Sequence, residues 1–496
     1  MRESGILLPI SSLPSQYGIG CFSKEAYEFV DQLALANQKY WQILPLGPTS
    51  YGDSPYQSFS TYAGNPYFID LNTLIEEGVL TKKECNLADF GSDSRFIDYG
   101  KLYKARYKLL RKAYERSNIS QNPEFQTFQE ENAWWLDDYS LFMAVKGFFQ
   151  DECWDKWPED IKKRYGYALD YYREQLYFEV EFQKYMQFEF SIQWKKLKTY
   201  ANENGIRIIG DIPIYVAYDS ADTWAHPELF QLDEENVPLA VAGCPPDGFA
   251  ADGQLWGNPL YRWDYHRQTG YAWWIQRLSY AFYLYDVVRI DHFRGFDEYF
   301  SIPYGDTTTR NGHWEKGPGI ELFHRMKEVL GERDVIAEDL GYVTDSVRQM
   351  VFESGFPGMK VFEFAFDSRD TGCAGDYLPH NYPVNSVVYT GTHDNATLIG
   401  WYQDIPKEGR EMLRDYIHDY TTSDRSLHWS VICRVMGSPA RICMIPMQDY
   451  LGLDNTCRIN TPSTLGTNWK WRLLDGEFTS DLQNKIKKLV RIYQRN

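Results

Sequence analysis

Val287-Val-Arg-Ile-Asp-His-Phe-Arg-Gly295 is an apolar run that ends abruptly in charged residues. The β-branched side chains at its start favour a buried strand. Because side chains alternate across a strand, Arg289 and Asp291 project to the same face. A guanidinium beside Asp291 should keep this carboxylate ionised well below neutral pH, as a nucleophile requires. A structural Asp–Arg pair that closes a strand would explain this stretch equally well, so the remaining chain decides.

Seven further apolar runs predict strands, and most are separated by runs in which apolar residues have helical spacing. They cover residues 5–10, 40–46, 206–216, 335–339, 359–366, 386–394 and 441–449. Strand, helix and strand in succession form a parallel βαβ unit, and eight such strands indicate a closed (β/α)₈ TIM barrel rather than an open sheet. A doubly wound sheet would require a glycine-rich phosphate turn after its first strand, and Gly18-Ile-Gly20 does not provide one.

The chain is much longer than such a barrel requires, since about 250 residues are typical and 496 are present. We therefore expect a single α/β catalytic barrel over residues 1–496 with large, mainly helical insertions. A helical subdomain is predicted from about residue 71 to about residue 185. A second insertion, from about 217 to about 268, is rich in Gly, Pro, Asp and Trp. A long segment of that composition is typical of a lid or a binding loop.

The bulk composition disfavours several classes of partner. The formal net charge is −18 and no basic block is present, so neither nucleic acid nor an anionic membrane is an expected partner. The eight cysteines are scattered, and no signal-peptide or transmembrane pattern is visible, which predicts reduced thiols in a cytoplasmic protein. Aromatic residues make up 17% of the chain, and flat rings with a polar edge are suited to stacking on sugars.

Charged residues lie at the carboxyl ends of four predicted strands. They are Asp211 on the third strand, Arg289 and Asp291 on the fourth, Glu338 on the fifth, and His393 and Asp394 on the seventh. In a barrel of this kind these strand ends share one mouth, which holds the active site. Clustered carboxylates repel one another and would cost stability, so a functional role explains the set better than a structural one.

Several chemistries use such a set of side chains. A metal centre at His292 and His393 is one alternative, although the spacings H-x-H and H-E-x-x-H are absent. Acyl transfer and phosphoryl transfer are not indicated, because the sequence has no G-x-S-x-G elbow and no P-loop. Paired carboxylates with Arg, His and aromatic residues best fit glycosyl transfer, in which one carboxylate attacks the anomeric carbon and another protonates the leaving oxygen.

Long motifs along nearly the whole chain carry a family resemblance. They include Gly5-Ile-Leu-Leu-Pro-Ile-Ser11, Gly52-Asp-Ser-Pro-Tyr-Gln57, Gly210-Asp-Ile-Pro-Ile-Tyr-Val216, Leu255-Trp-Gly-Asn-Pro259, Arg289-Ile-Asp-His-Phe-Arg-Gly295, Ala337-Glu-Asp-Leu-Gly341 and Gly391-Thr-His-Asp-Asn395. By these motifs the chain resembles the amylomaltases, which are 4-α-glucanotransferases, or disproportionating enzymes, of the α-amylase superfamily of retaining barrels.

The resemblance implies a role for individual residues. Asp291 corresponds to the nucleophile, Glu338 to the general acid/base and Asp394 to the transition-state stabiliser. The implied substrate-binding residues are Ser54, Tyr56, Asp211, Phe249, Trp256, Arg289, His393 and Asn460. No cofactor and no metal is implied. The expected partners are α-1,4-glucan oligosaccharides, namely maltose, maltotriose and longer chains.

The activity implied by the resemblance is disproportionation, in which glucosyl or maltooligosaccharyl units pass between α-1,4-glucans through a glycosyl-aspartate intermediate. The alternative is an α-1,4-glucan hydrolase with the same site, because the sequence does not show whether the loops exclude water. A binding protein without catalysis is disfavoured by the complete set of acids. Two positions depart from the expected pattern: Ala396, where many relatives should carry an acidic residue, and Gly248, where some should carry an aromatic residue.

Overall fold

The structure is a computed structural model that describes residues 2–50, 52–246, 253–341, 343–366 and 374–496. Its strands are β1 (Glu3–Leu7), β2 (Tyr40–Gln42), β3 (Arg207–Ile212), β4 (Ala240–Cys244), β5 (Gln254–Pro259), β6 (Val287–Ile290), β7 (Glu298–Pro303), β8 (His313–Lys316), β9 (Val335–Ala337), β10 (Gly358–Val361), β11 (Ser386–Tyr389) and β12 (Ile442–Pro446).

Helices occupy most of the intervals between these strands. They are α1 (Lys24–Leu35), α2 (Leu71–Glu76), α3 (Lys82–Leu87), α4 (Tyr99–Ser117), α5 (Pro123–Phe148), α6 (Glu159–Lys162), α7 (Gly166–Gln175), α8 (Tyr177–Glu203), α9 (Ala221–Ala225), α10 (Trp263–Gln268), α11 (Ala272–Leu284), α12 (Glu321–Leu330), α13 (Asp345–Ser354), α14 (Leu398–Asp404), α15 (Lys407–Ile417), α16 (His428–Met436), α17 (Met447–Leu451) and α18 (Ser480–Tyr493). No helix in the described parts of the chain is both long enough and apolar enough to cross a membrane.

Over the described ranges, eight parallel strands close into a barrel in the order β1-β2-β3-β6-β9-β10-β11-β12. The barrel closes where β1 pairs with β12, from Glu3 opposite Ile442 to Leu7 opposite Pro446. The predicted (β/α)₈ barrel is therefore confirmed, and each predicted strand contributes to it. Several strands end earlier than predicted, because the polar residues at their carboxyl ends lie beyond the last paired residue.

Alternation along β6 determines which side chains enter the barrel. Val287 packs in the apolar cluster that fills the barrel interior, whereas Val288 and Ile290 pack in the larger cluster between strands and helices. Arg289 and Asp291 have the same parity as Val287, so their side chains point to the barrel axis. The fold thus places the charged end of segment 287–295 at the mouth of the barrel.

Helices α2 to α8 fill the long interval between β2 and β3. Asn122 caps α5 by accepting a hydrogen bond from the Glu124 backbone, and Pro123 occupies the first helical position, as helix N-termini favour. Trp154 and Trp157 belong to a second apolar cluster that joins α5 to the α9 region. The predicted boundary near residue 185 stays a prediction, and α8 runs through it without interruption to Glu203.

A small antiparallel sheet, in the order β5-β4-β7-β8, lies outside the barrel. Sequence analysis assigned no strand to any of its four segments. Its strands are short, Gly243 and Gly257 interrupt the apolar pattern, and a cluster of only Val241, Phe300 and Ile302 is buried on one face within the described residues. Such weak alternation does not distinguish a strand from a loop.

Candidate active site

Arg289 connects two carboxylates at the barrel mouth. It lies opposite Asp211 in the pairing of β3 with β6, and its Nη1 atom is 2.6 Å from Asp211 Oδ2 and 3.2 Å from Asp291 Oδ1. The side chains of Arg289 and Asp211 are 3% and 0% exposed, whereas that of Asp291 is 28% exposed. Asp291 is therefore the carboxylate of this triplet that a ligand in the mouth can reach.

The environment of Asp291 corrects one expectation from the sequence. Burial raises the pKa of Asp291 to about 7; Arg289 opposes this rise, and the neighbouring carboxylates of Glu338 and Asp211 add to it. The expectation that Asp291 stays ionised well below neutral pH is wrong. Burial is the main cause, and the guanidinium opposes it only in part because its shorter contact is with Asp211. Burial disfavours the charge of Arg289, but its two carboxylate partners hold the pKa of Arg289 well above its usual range.

Glu338 follows β9, the barrel neighbour of β6, so its carboxyl group lies beside Asp291 at the mouth. Its Oε2 accepts a hydrogen bond from the His292 backbone N–H at 2.7 Å, and its Oε1 accepts one from the Leu340 N–H at 2.9 Å. Burial raises the pKa of Glu338, although Arg289 and these two N–H groups oppose that shift. Both carboxyl groups at this edge of the mouth therefore have raised pKa values.

His292 adopts the left-handed backbone conformation, with φ of 52°. This conformation turns the chain directly after Asp291 and directs the His292 N–H to Glu338. Burial and Arg294 lower the pKa of His292 to about 3, so its imidazole is neutral. Trp256 lies edge-on to it, with ring centroids 4.9 Å apart.

Asp394 has a fixed set of partners beyond the end of β11. Asn460 Nδ2 donates to Asp394 Oδ1 at 2.6 Å, and His393 Nε2 is 3.3 Å from Asp394 Oδ2. Burial alone would raise the pKa of Asp394, but His393 and Asn460 hold it well below its usual range. For His393, burial disfavours the charge, but Asp394 outweighs it and raises its pKa. Asp394 therefore stays ionised at the pH at which Asp291 and Glu338 titrate.

Arg458 supports this arrangement and was not predicted. Its Nη2 donates to the backbone carbonyl of Asp394 at 2.5 Å, and its Nε donates to the carbonyl of Asn460 at 2.6 Å. The Asn460 backbone N–H in turn donates to the His393 carbonyl at 3.1 Å. Because Arg458 acts on backbone atoms, no pattern of side chains in the sequence indicates it.

Tyr56 forms one wall of the mouth. Its hydroxyl donates to Asp211 Oδ2 at 2.9 Å, and its ring stacks on His393 with centroids 5.2 Å apart and an angle of 13°. Trp469, which sequence analysis did not select, has its ring 6.0 Å from Tyr56 and 6.1 Å from His393. Ser54 accepts a hydrogen bond from the Tyr56 backbone N–H at 3.3 Å, so in this structure it supports the turn that carries Tyr56.

The remaining predicted positions differ in what the structure shows. Trp256 lies on β5 with its Nε1 donating to Gln254 at 3.1 Å, on the side of the mouth formed by His292. Phe249 and Gly248 lie outside the described residues. The side chain of Ala396 packs against the main apolar core.

The described residues contain no group of three or more His, Cys, Asp or Glu side chains placed to hold a metal ion. Of the two histidines considered as ligands, His292 is neutral and lies against Trp256, and His393 is stacked on Tyr56 and paired with Asp394.

Together these groups suit a reaction in which one carboxylate attacks a carbon atom. A second carboxyl group protonates the oxygen that leaves that carbon. Asp291 is accessible, Glu338 lies beside it with a raised pKa, and Asp394 supplies a fixed negative charge. Beside them, an open groove of about 1580 Å³ is lined in part by Gln57 and Gly257, the chain neighbours of Tyr56 and Trp256. A groove of that size accommodates an extended ligand.

Comparisons with known proteins agree over nearly the whole chain. A family model described as 4-alpha-glucanotransferase matches residues 8–477. The chain is 50% identical to a 4-alpha-glucanotransferase of Clostridium butyricum over 98% of this chain and 99% of that protein. It is 45% identical to one of Thermus thermophilus over 100% and 99% of the two chains. The structure of an amylomaltase from Streptococcus agalactiae in complex with acarbose superposes with a TM-score of 0.96, at 40% identity and full coverage of both chains.

Proposed function

The chain belongs to the 4-alpha-glucanotransferase family, and from this premise we propose that it transfers glucosyl or maltooligosaccharyl units between α-1,4-glucans by a retaining, two-step mechanism. The observation that carries the mechanism is the placement of Asp291 and Glu338 at the ends of two paired strands. The His292 N–H links the two ends by its 2.7 Å bond to Glu338, and Arg289 lies 3.2 Å from Asp291.

In the first step, an oxygen of the Asp291 carboxylate attacks the anomeric carbon of the donor. The bond from that carbon to the glycosidic oxygen breaks, and Glu338 gives its proton to the leaving oxygen. The product is a glycosyl ester of Asp291 and a shortened glucan with a free 4-hydroxyl. Asp394, which is ionised, stabilises the positive charge that develops on the sugar ring.

In the second step, the Glu338 carboxylate removes the proton from the 4-hydroxyl of an acceptor glucan. The acceptor oxygen attacks the anomeric carbon, and the ester bond to Asp291 breaks. Two inversions at one carbon retain the α-configuration. The raised pKa of Glu338 matches both roles, because the group must be protonated in the first step and ionised in the second.

Incubation with maltotriose tests the transfer. We expect free glucose together with a ladder of longer maltooligosaccharides, because each transferred maltosyl unit lengthens an acceptor. A product set of only glucose and maltose would show that water is the acceptor and would favour the α-1,4-glucan hydrolase instead.

The variant Asp291→Asn tests the nucleophile. We expect a loss of turnover of about 10⁴-fold or more, because the amide cannot form the ester, while maltooligosaccharide binding measured by calorimetry is retained. Asp297→Asn is the matched control, since Asp297 accepts a hydrogen bond from Ser346 and lies outside the mouth. Near-normal turnover by Asp291→Asn would refute the assignment.

A further inference from the structure

The two aromatic walls of the mouth come from distant parts of the chain and are joined by a pair of side-chain amides. Gln57 Nε2 donates to Asn258 Oδ1 at 3.1 Å, and Asn258 Nδ2 lies 3.5 Å from Gln57 Oε1. We call these two side chains the amide clasp. Gln57 directly follows Tyr56, and Asn258 lies two residues after Trp256 on β5.

A third contact fixes the orientation of the amide clasp. Asn258 Nδ2 also donates to the backbone carbonyl of Val216 at 2.9 Å. Only the amide nitrogen can make this bond, so Asn258 Oδ1 must face Gln57 as an acceptor. Asn258 is 4% exposed, and an amide buried to that extent makes hydrogen bonds that water does not replace. The clasp thus ties the Tyr56 loop and β5 to the segment that follows β3.

Backbone contacts connect the amide clasp to both aromatic walls. Thr49 pairs with Ser58, and the Ser50 N–H donates to the Gln57 carbonyl at 3.2 Å. These two contacts close the loop that carries Tyr56, and Gln57 lies at its closed end. On β5, Asn258 lies two residues after Trp256, across an irregularity in the pairing with β4 at which Gly257 has φ of 78°. The Asn258 bonds therefore hold the stretch of backbone that presents Trp256.

We infer that Gln57 and Asn258 are positioning residues that hold Tyr56 and Trp256 at a fixed separation and so favour a sugar over water as the acceptor. This inference rests on the proposed function. Tyr56 contacts Asp211 and His393, and Trp256 contacts His292, which bonds to Glu338. The walls therefore lie beside the residues that surround Asp291 and Glu338, and in the proposed mechanism they shield the ester bond between Asp291 and the glycosyl group. Looser walls admit water to that ester while it waits for an acceptor.

Counting reducing ends separates the two outcomes of each turnover. Transfer breaks one glycosidic bond and forms another, so the number of reducing ends is conserved. Hydrolysis adds one water and creates one new reducing end. The quantity to measure is new reducing ends per maltotriose consumed, with product lengths determined in parallel.

The variant Gln57→Met keeps the length of the side chain and removes both hydrogen bonds of the clasp. We expect it to raise the hydrolysed fraction by about 2- to 10-fold, which corresponds to the loss of one net hydrogen bond of about 0.5–1.5 kcal/mol. Gln231→Met is the matched control, because Gln231 bridges Tyr261 and Tyr299 away from the mouth. The control should keep the wild-type ratio.

A double-mutant cycle supplies a readout that general loosening would not reproduce. Asn258→Ala should raise the hydrolysed fraction, and adding Gln57→Met to it should cause no further rise. An unchanged ratio in folded Gln57→Met, an equal rise in Gln231→Met, or additive effects in the double variant would each overturn the inference. A wild-type enzyme that makes one reducing end per turnover and no ladder would instead refute the proposed function.

Discussion

In the proposed mechanism, the ionisation of Asp291 beside Glu338 governs how the reaction depends on pH. Burial, opposed by Arg289 and reinforced by Glu338, raises the pKa of Asp291 to about 7. In Glu338→Gln the neighbouring negative charge is absent, so the pKa of Asp291 falls and its carboxylate is ionised at lower pH. With a maltosyl fluoride donor, whose fluoride leaves without protonation, we expect the acidic limb of the rate to move to lower pH.

The same variant should accumulate the glycosyl ester, because it lacks the base for the second step. Mass spectrometry of a proteolytic digest should find the added sugar on the peptide that contains Asp291. Asp339→Asn is the matched control, since Asp339 is adjacent in the chain but accepts its hydrogen bond from the Met359 N–H at 2.7 Å. An unmoved acidic limb, or an adduct on another peptide, would contradict this assignment.

Asn460 orients the carboxylate of Asp394, which stabilises the transition state in the proposed mechanism. Its 2.6 Å bond to Asp394 is a hydrogen bond to a charged group, and losing such a bond costs about 1.5–3 kcal/mol. We expect Asn460→Ala to lower kcat on maltotriose about 10- to 100-fold with a much smaller change in KM. Asn385→Ala removes a comparable amide bond, to the Gly355 carbonyl, and should leave kcat unchanged. A change confined to KM would assign Asn460 to ground-state binding instead.

At this scale the sequence indicated which charged residues lie at the barrel mouth, but not how they interact. Asp291, Glu338 and Asp394 were found because acids at strand ends are conspicuous after apolar runs. The ionisation of Asp291 was misjudged because burial dominates its pKa and the shorter contact of Arg289 is with Asp211 on a neighbouring strand. The sequence contains neither the burial nor the distance. Arg458 bonds to backbone carbonyls, and such a contact leaves no sequence pattern.

Among secondary-structure elements, those with regular patterns were predicted and those with weak patterns were missed. Helix α13 begins after its cap Thr344, and α12 ends at Gly331 with φ of 74°, as expected from these residues. The small sheet was missed because its strands carry Gly243 and Gly257 and bury few apolar side chains.

Arg495 follows α18 and connects this C-terminal helix to the region where β1 pairs with β12 and closes the barrel. Its side chain is fully buried. It donates to the backbone carbonyls of Glu3, Met436, Ser438 and Ala440. We expect Arg495→Met to lower the free energy of unfolding by about 2–4 kcal/mol, because buried carbonyls lose their partner. Thermal unfolding should show a lower Tm, while kcat/KM at 25 °C stays near the wild-type value.

Arg491→Met is the control for this prediction, because Arg491 lies one turn earlier on α18 and is exposed. It should leave the Tm nearly unchanged, since exposed substitutions usually alter stability by less than about 0.5 kcal/mol. An equal loss of Tm in both variants would show that the helix, not the four carbonyl contacts of Arg495, determines the effect.

For the molecule as a whole, the net charge of −18 should have little effect on the reaction. An α-1,4-glucan is uncharged, so no long-range electrostatic attraction contributes to its association. We expect kcat/KM for maltotriose to change less than about twofold between about 0.05 M and about 0.5 M NaCl, a range over which the screening length falls about threefold. A steep dependence on salt would indicate a charged ligand.

The pairing of β1 with β12 has a consequence for how the chain is connected. Arg2 donates to the Tyr493 carbonyl at 2.6 Å, and Arg495 donates to the Glu3 carbonyl at 3.2 Å. A linker of a few residues could therefore join the two ends without disturbing any strand pair. The chain could then be opened at an exposed turn such as residues 304–305, between β7 and β8. Circular permutation of this kind is tolerated where termini are close, so the barrel geometry does not require β1 to be the first strand of the polypeptide.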